Sequence, residues 1–229
     1  MDWFREVNAY CERTDASYWA EPVNALSNAS FFIAAFLCWR MLEGTRDAGA
    51  RALVVVLFAI GVGSWLFHTH AQVWAAVADV VPIQLFILLY LYLATVRFFA
   101  QPWWAGVLAV ALFVPYSIVT AQAVAAAFGP LNSSVGYVPV PILIAAYGAA
   151  LWRRSPDSAI GLWVGAGILA VSLVFRTIDQ AVCEVLPIGT HWAWHLLNGV
   201  MLGWMIVVLH RHDPKRVAGP ALAREEAGR

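Results

Sequence analysis

Ala50–His68 reads ARALVVVLFAIGVGSWLFH, an apolar run whose one permanent charge, Arg51, lies at its start. A helix needs about 20 predominantly apolar residues to cross a bilayer. The run is continuous rather than alternating, which argues against a strand of a membrane barrel. Six further stretches share the pattern: Ser27–Leu42, Trp74–Phe99, Trp103–Ala125, Val135–Trp152, Ile160–Val182 and His191–Leu209. The expected fold is therefore all-α, an integral membrane bundle of seven transmembrane helices. Composition agrees. Of 229 residues, 62% are hydrophobic and 12% charged, against about 25% charged in a soluble domain, so most of the surface must face lipid. Lys plus Arg and Asp plus Glu number 14 each, which leaves none of the basic excess that a nucleic-acid partner requires. No separate soluble domain fits. The chain reads as one membrane domain, 1–229, with an outer segment 1–26, helices within 27–209 and a tail 210–229. The first stretch starts too late, behind too acidic a segment, to be a signal peptide. Trp103, Trp104, Trp152, Trp192 and Trp194 stand at stretch ends, as interfacial anchors do.

The loops divide by charge. One side receives Arg40, Arg46, Arg51, Arg97, Arg153, Arg154, Arg211, Lys215 and Arg216; the other has only Arg5 and Arg13, among acidic residues. The basic side should be cytoplasmic, which puts the N-terminus outside and the C-terminus inside. An Arg- and Ala-rich, Lys-poor chain points to a bacterial inner membrane with the N-terminal side periplasmic.

Ionisable groups within spans are costly and usually functional. Here they are Asp79, Arg176, Asp179 and the histidines His68, His191 and His195, with Ser64 one turn before His68. The topology brings all of them to the outer ends of four helices. His191 and His195 are four apart, so both rings lie on one helical face, a spacing that suits two imidazoles on one metal ion. With His68 they would form a three-histidine zinc site with an open fourth position. Zinc so held takes a water and lowers its pKa to about 7. Asp79 could then act as general base and later as acid to the leaving group, and Ser64 could hydrogen-bond the carbonyl or the oxyanion.

Plainer readings compete at several positions. A histidine near a helix end is commonly an interfacial hydrogen-bonding group. His70 competes with His68 as third ligand, but points about 200° away on a continuing helix. His210 and His212, beside Arg211, read as solvated cations at a helix C-terminus. Arg176 and Asp179 read as a local ion pair, or Asp179 as a carboxylate that orients a metal-bound imidazole. Asn198 could do the same or bond a neighbouring helix.

These residues resemble a known family. Gly63-Ser64-Trp65-Leu66-Phe67-His68 resembles the G-S-x-x-F-H motif of the alkaline ceramidases, Asp79 with Pro82 their D-x-x-P element, and His191-Trp192-Ala193-Trp194-His195 their H-x-x-W-H motif. Tyr10–Arg13, Glu21–Asn28, Ile178-Asp179 and Cys183-Glu184 are also similar to family sequence. The resemblance implies a seven-helix, zinc-dependent amidase that cleaves ceramide-like N-acyl sphingoid lipids to a fatty acid and a sphingoid base. It implies zinc on His68, His191 and His195, with Ser64 and Asp79 catalytic. It also implies a disulfide between Cys11 and Cys183, with Cys38 left within the first helix. Calcium would be held by the acidic N-terminal segment: Glu12 and Glu21 match best, Asp15 is a substitute ligand, Asn8 and Asn24 weaker ones, and a backbone carbonyl near Tyr10 could join. The spacing of the two glutamates is shorter than in the eukaryotic enzymes. The main alternative is a receptor-like or haemolysin-III-like protein of the same superfamily without ceramidase activity. Such proteins lack the Tyr10–Arg13 and Glu21–Asn28 signatures. A transporter or haem-binding carrier is a further rival.

Overall fold

A computed structural model describes residues 2–212; Lys215, Arg216 and the rest of the expected tail beyond position 212 lie outside the described residues. The helices are α1 (Pro22–Ser27), α2 (Ala29–Met41), α3 (Ala48–His70), α4 (Val73–Phe98), α5 (Trp103–Phe128), α6 (Pro139–Leu151), α7 (Pro156–Ile178) and α8 (His191–Arg211). Among the described residues, seven helical stretches are long and apolar enough to cross a membrane, with α1 and α2 together forming the first. The chain is an integral membrane protein built as an all-α bundle of seven spans.

The starts of three spans differ from the sequence expectation by four residues or more, each because a polar or proline-rich turn precedes the apolar run. The first span begins at Pro22, inside the expected outer segment. Proline suits the first helical position, and the Glu12 carboxylate accepts from the Val23 and Asn24 amides at 2.6 and 2.8 Å, satisfying two of the N–H groups a helix start leaves open. The α7 helix starts at Pro156, with Asp157 in its first turn, where a negative charge suits the helix dipole. The fifth span opens on a 3-10 stretch, Leu131–Tyr137, in which Asn132 and Ser133 have positive φ, and becomes α-helical at Pro139.

The α3 helix packs on α4, α7 on α6 and α8, and α2 against both α3 and α8, so α8 is the most enclosed span and α5 the most peripheral. Leu57, Ile60, Leu162, Met205 and Ile206 fill the centre, while Ile33, Leu85, Leu112 and Val119 face outward, as lipid contact requires. Apolar burial does not drive helices together in lipid, so close backbone approach over small residues matters. Gly63 is the clearest case. A Cβ there would strike the Ala78 carbonyl and come within 3.1 Å of Asp79 Cα. The α3 and α4 backbones thus approach closely beside Ser64 and Asp79.

At the end of the bundle away from the N-terminal segment, Asp47 caps α3 through the Ala50 amide at 3.0 Å. It also binds Arg97 in a two-pronged pair at 2.5 and 2.8 Å and accepts from His210 Nδ1 at 2.9 Å. His212 Nδ1 meets Ser158 Oγ at 2.9 Å. His210 and His212 are therefore not free solvated cations; they tie the end of α8 to α3, α4 and α7. Trp194, expected at the interface, is instead buried in the bundle.

Candidate metal centre

The N-terminal segment folds across the other end of the bundle. A short bridge pairs Glu6 with Gln72, and a disulfide joins Cys11 to Cys183, the pairing the resemblance implies, with Cys38 left as a free buried thiol. This lid closes over His68, His191 and His195, which are each almost fully buried. One ring or ligand atom from each of the three lies within 4.8 Å of the others. His68 Nε2 and His195 Nε2 are 3.1 Å apart. Two ligands of one tetrahedral zinc, each about 2.0–2.1 Å from the metal, would be separated by roughly 3.3 Å. His191 Nδ1 is buried and makes no hydrogen bond, an arrangement that is costly for a lone imidazole and natural for one whose lone pair meets a metal. The three histidines therefore fit zinc. His70 is exposed on the other side of α3, in ring contact with Tyr18 and Trp74, and does not join them.

Ser64 Oγ lies 3.5 Å from His195 Nε2, and the Asp79 carboxylate interacts with the Ser64 hydroxyl where α4 passes close beside Gly63. The five expected zinc and catalytic residues thus meet in one place.

The groups that orient the imidazoles are not those the sequence suggested. Glu21 Oε2 holds His68 Nδ1 at 2.6 Å, and Ser27 Oγ meets His195 Nδ1 at 2.7 Å. Both leave the Nε2 atoms turned inward. The Tyr10 ring stacks on His191 with centroids 3.6 Å apart, and burial pushes its phenol above the ordinary tyrosine range. Asp179 neither pairs with Arg176 nor touches an imidazole. Its oxygens accept from the Thr190 and His191 amides at 2.7 and 2.9 Å and from the Cys11 amide at 3.0 Å. It caps α8 and fixes the lid. Gly189 allows this closeness, since it adopts φ +61 and any Cβ there would collide with Asp179 Oδ1. Asn198 bonds Ser172 Oγ at 2.8 Å on α7 and the Trp194 carbonyl, which makes it a helix-to-helix tie. Arg176 donates to the Asn132 carbonyl and Ser134 Oγ, both at 3.1 Å, and lies against the Tyr137 and Trp194 rings.

The expected calcium ligands do not converge. Glu12 is spent on the α1 amides, and burial raises its carboxyl above the usual range despite those bonds. Asp15 is exposed and accepts from the Ser17 amide at 2.7 Å. Glu21 is buried, which alone would raise its carboxyl; its bonds to His68 and Arg13 outweigh this and hold it low. The Asn8 and Asn24 side chains act as donors, to the Arg13 carbonyl and Glu21 Oε2. Asn24 Oδ1 is left without a partner, one neutral oxygen where calcium takes six to eight. These residues do not fit a calcium ion.

Below the histidines an apolar cavity runs between α4, α6 and α8, lined by Phe86, Tyr90, Ile144, Trp194, Met201 and Met205 among others. Trp194 borders both the cavity and the polar cluster. Fold and cluster together define a class: a helical membrane protein with a lidded three-histidine centre above an apolar chamber. The Ceramidase family profile matches residues 8–216, and the chain belongs to that family. Membership implies an amidohydrolase with a membrane lipid as its substrate. No curated protein matches the chain.

Proposed function

We propose that this protein is a zinc-dependent intramembrane ceramidase that hydrolyses the amide of ceramide-like N-acyl sphingoid lipids. The observation that carries the reading is the junction of three inward-facing imidazoles with Ser64 and Asp79, about one helical turn from an apolar cavity lined by Ile60, Ile83 and Asn198. His68, His191 and His195 would hold the metal. Zinc bound there would supply Lewis acidity toward the amide carbonyl and acidify the attacking water.

The remaining work falls to side chains of the chain itself. An acyl chain lies in the cavity, which directs the amide toward the imidazoles one helical turn beyond its lining. Ser64 Oγ donates to the carbonyl oxygen as negative charge builds on it. Asp79 takes the proton from the attacking water and returns it to the amide nitrogen as the C–N bond breaks. A fatty acid and a free sphingoid amine leave. The lid, tied by the disulfide and Asp179, keeps bulk water from the imidazoles. We also propose that the lidded face is the outer one, periplasmic if the source is bacterial. The arginines at positions 40, 46, 51, 97, 153, 154 and 211 then gather on the cytoplasmic side.

His195→Ala, purified and measured for zinc content and ceramide cleavage together, tests the mechanism. Loss of both is expected; a variant that cleaves ceramide at the wild-type rate would refute it.

A further inference from the structure

We propose that Arg13 is the built-in cation of this centre, filling the role that the resemblance gives to calcium, so that the protein binds no calcium and Arg13 positions His68. Its guanidinium sits in a cage of oxygens of the kind a hard metal ion takes. Nε donates to Glu21 Oε1 at 2.5 Å, Nη1 to the Asp15 and Ser17 carbonyls at 3.1 and 3.4 Å, and Nη2 to the His68 carbonyl at 3.1 Å. One carboxylate and three peptide oxygens thus surround a side chain that is only 5% exposed. The cage links the lid (Arg13, Asp15, Ser17), the start of α1 (Glu21) and the end of α3 (His68), which is the bridging a metal would otherwise supply.

Charge supports the exchange. Glu21 is paired to a permanent cation, because guanidinium does not lose its proton in proteins. A divalent ion placed on Glu21 would face that cation at close range and be repelled. Glu12 is balanced by the N-terminal end of α1 and has both oxygens engaged. The shorter spacing between Glu12 and Glu21 is consistent with a loop closed around a tethered guanidinium rather than a free ion.

Arg13 also reaches His68 from two sides. It satisfies a carbonyl in the last turn of α3, one that helix geometry leaves open, and through Glu21 it holds the ring at Nδ1. Arg13 is thereby a positioning residue for the imidazole.

The full-length protein in detergent is melted in EGTA and across a calcium chloride titration, with bound calcium measured by elemental analysis. No shift in melting temperature and substoichiometric calcium are expected. A saturable rise with one calcium per chain would overturn the proposal. Zinc affinity by chelator competition is then compared in wild type, Arg13→Ala and Arg13→Lys. A fall of about 10-fold or more is expected in Arg13→Ala, with partial recovery in the lysine variant. Wild-type zinc affinity in Arg13→Ala would overturn the positioning role. If Arg13→Ala does not fold, the wild-type calcium measurement and the lysine variant still decide. The role given to His68 rests on the zinc reading above, whereas the calcium measurement needs neither zinc nor ceramide turnover. The two can therefore fail separately.

Discussion

Glu21→Gln is the most informative single change in this protein, because one carboxylate serves two buried partners. Its oxygens hold Arg13 Nε at 2.5 Å and His68 Nδ1 at 2.6 Å, with side-chain exposures of 3% for Glu21, 5% for Arg13 and 1% for His68. Glutamine keeps the shape but has one oxygen and one NH2 group. If the oxygen stays on Arg13, the NH2 faces His68 and favours the tautomer with a bare Nδ1. The proton then moves to Nε2, the atom turned toward the other histidines, and that nitrogen cannot ligate a metal. If the oxygen stays on His68, a buried guanidinium faces an amide donor. Removing one partner of a buried pair costs about 3–5 kcal/mol. Losing the group that orients a ligand imidazole lowers metal affinity about 10–100-fold.

The expected result near neutral pH is a loss of about 3–5 kcal/mol in a denaturant titration in detergent. Zinc affinity by chelator competition should fall about 10–100-fold. Arg13→Leu combined with Glu21→Gln should recover part of the stability, since no buried charge is stranded, but should not recover zinc affinity. Glu21's carboxyl is held below its ordinary range in the folded protein. Its contribution is therefore fully present above the unfolded value near 4.3 and fades as pH falls through the lower folded value. The gap between wild type and Glu21→Gln should narrow under acid. Wild-type zinc affinity and stability in Glu21→Gln would refute the account of how His68 is oriented.

Three other outcomes are expected. Asp79→Asn should lower kcat on a ceramide by about 10²–10⁴ and Ser64→Ala by about 10²–10³, both with zinc content retained; zinc loss in parallel would mean that these residues build the site rather than act in it. Ala94→Phe should shift preference toward shorter acyl chains in a panel assay, because Ala94 lines the cavity about 22 Å along α4 from Asp79; an unchanged profile would place the acyl chain elsewhere. Asp47 has a carboxyl held well below its usual range; burial opposes this but is outweighed by Arg97, the Ala50 amide and His210. Asp47→Asn should therefore cost about 2–3 kcal/mol near neutral pH. The folded value is the lower one, so this cost should shrink as pH drops below about 3.9, which unfolding curves at two pH values can check.

Some of this was legible in the chain because it depends on local order. Seven apolar runs specify seven spans whatever their neighbours, since each span must satisfy its own backbone in lipid. The four-residue spacing of His191 and His195 specifies a shared face, and the costly polar groups could be ranked by depth. The Ser64, His68, Asp79, His191 and His195 set could thus be assembled from helix geometry and alternating direction alone. The boundaries at Pro22 and Pro156 were harder, because a helix's first turn is polar by nature and does not register as part of an apolar run.

What only the tertiary structure decided concerns partners across long separations, where many acceptors are chemically equivalent. Asp179 had two sensible partners in sequence, Arg176 and an imidazole, and took neither; it caps α8 and binds the lid because Gly189 lets the backbone turn against it. Tyr10 and Ser27 carried no spacing signal toward His191 and His195, yet stack on and bond to them. The resemblance implied calcium in the acidic N-terminal segment because a motif match carries over carboxylates, not what already occupies them. Folding brings Arg13 between Glu21 and the end of α3, and a buried carboxylate takes the cation that the chain itself delivers.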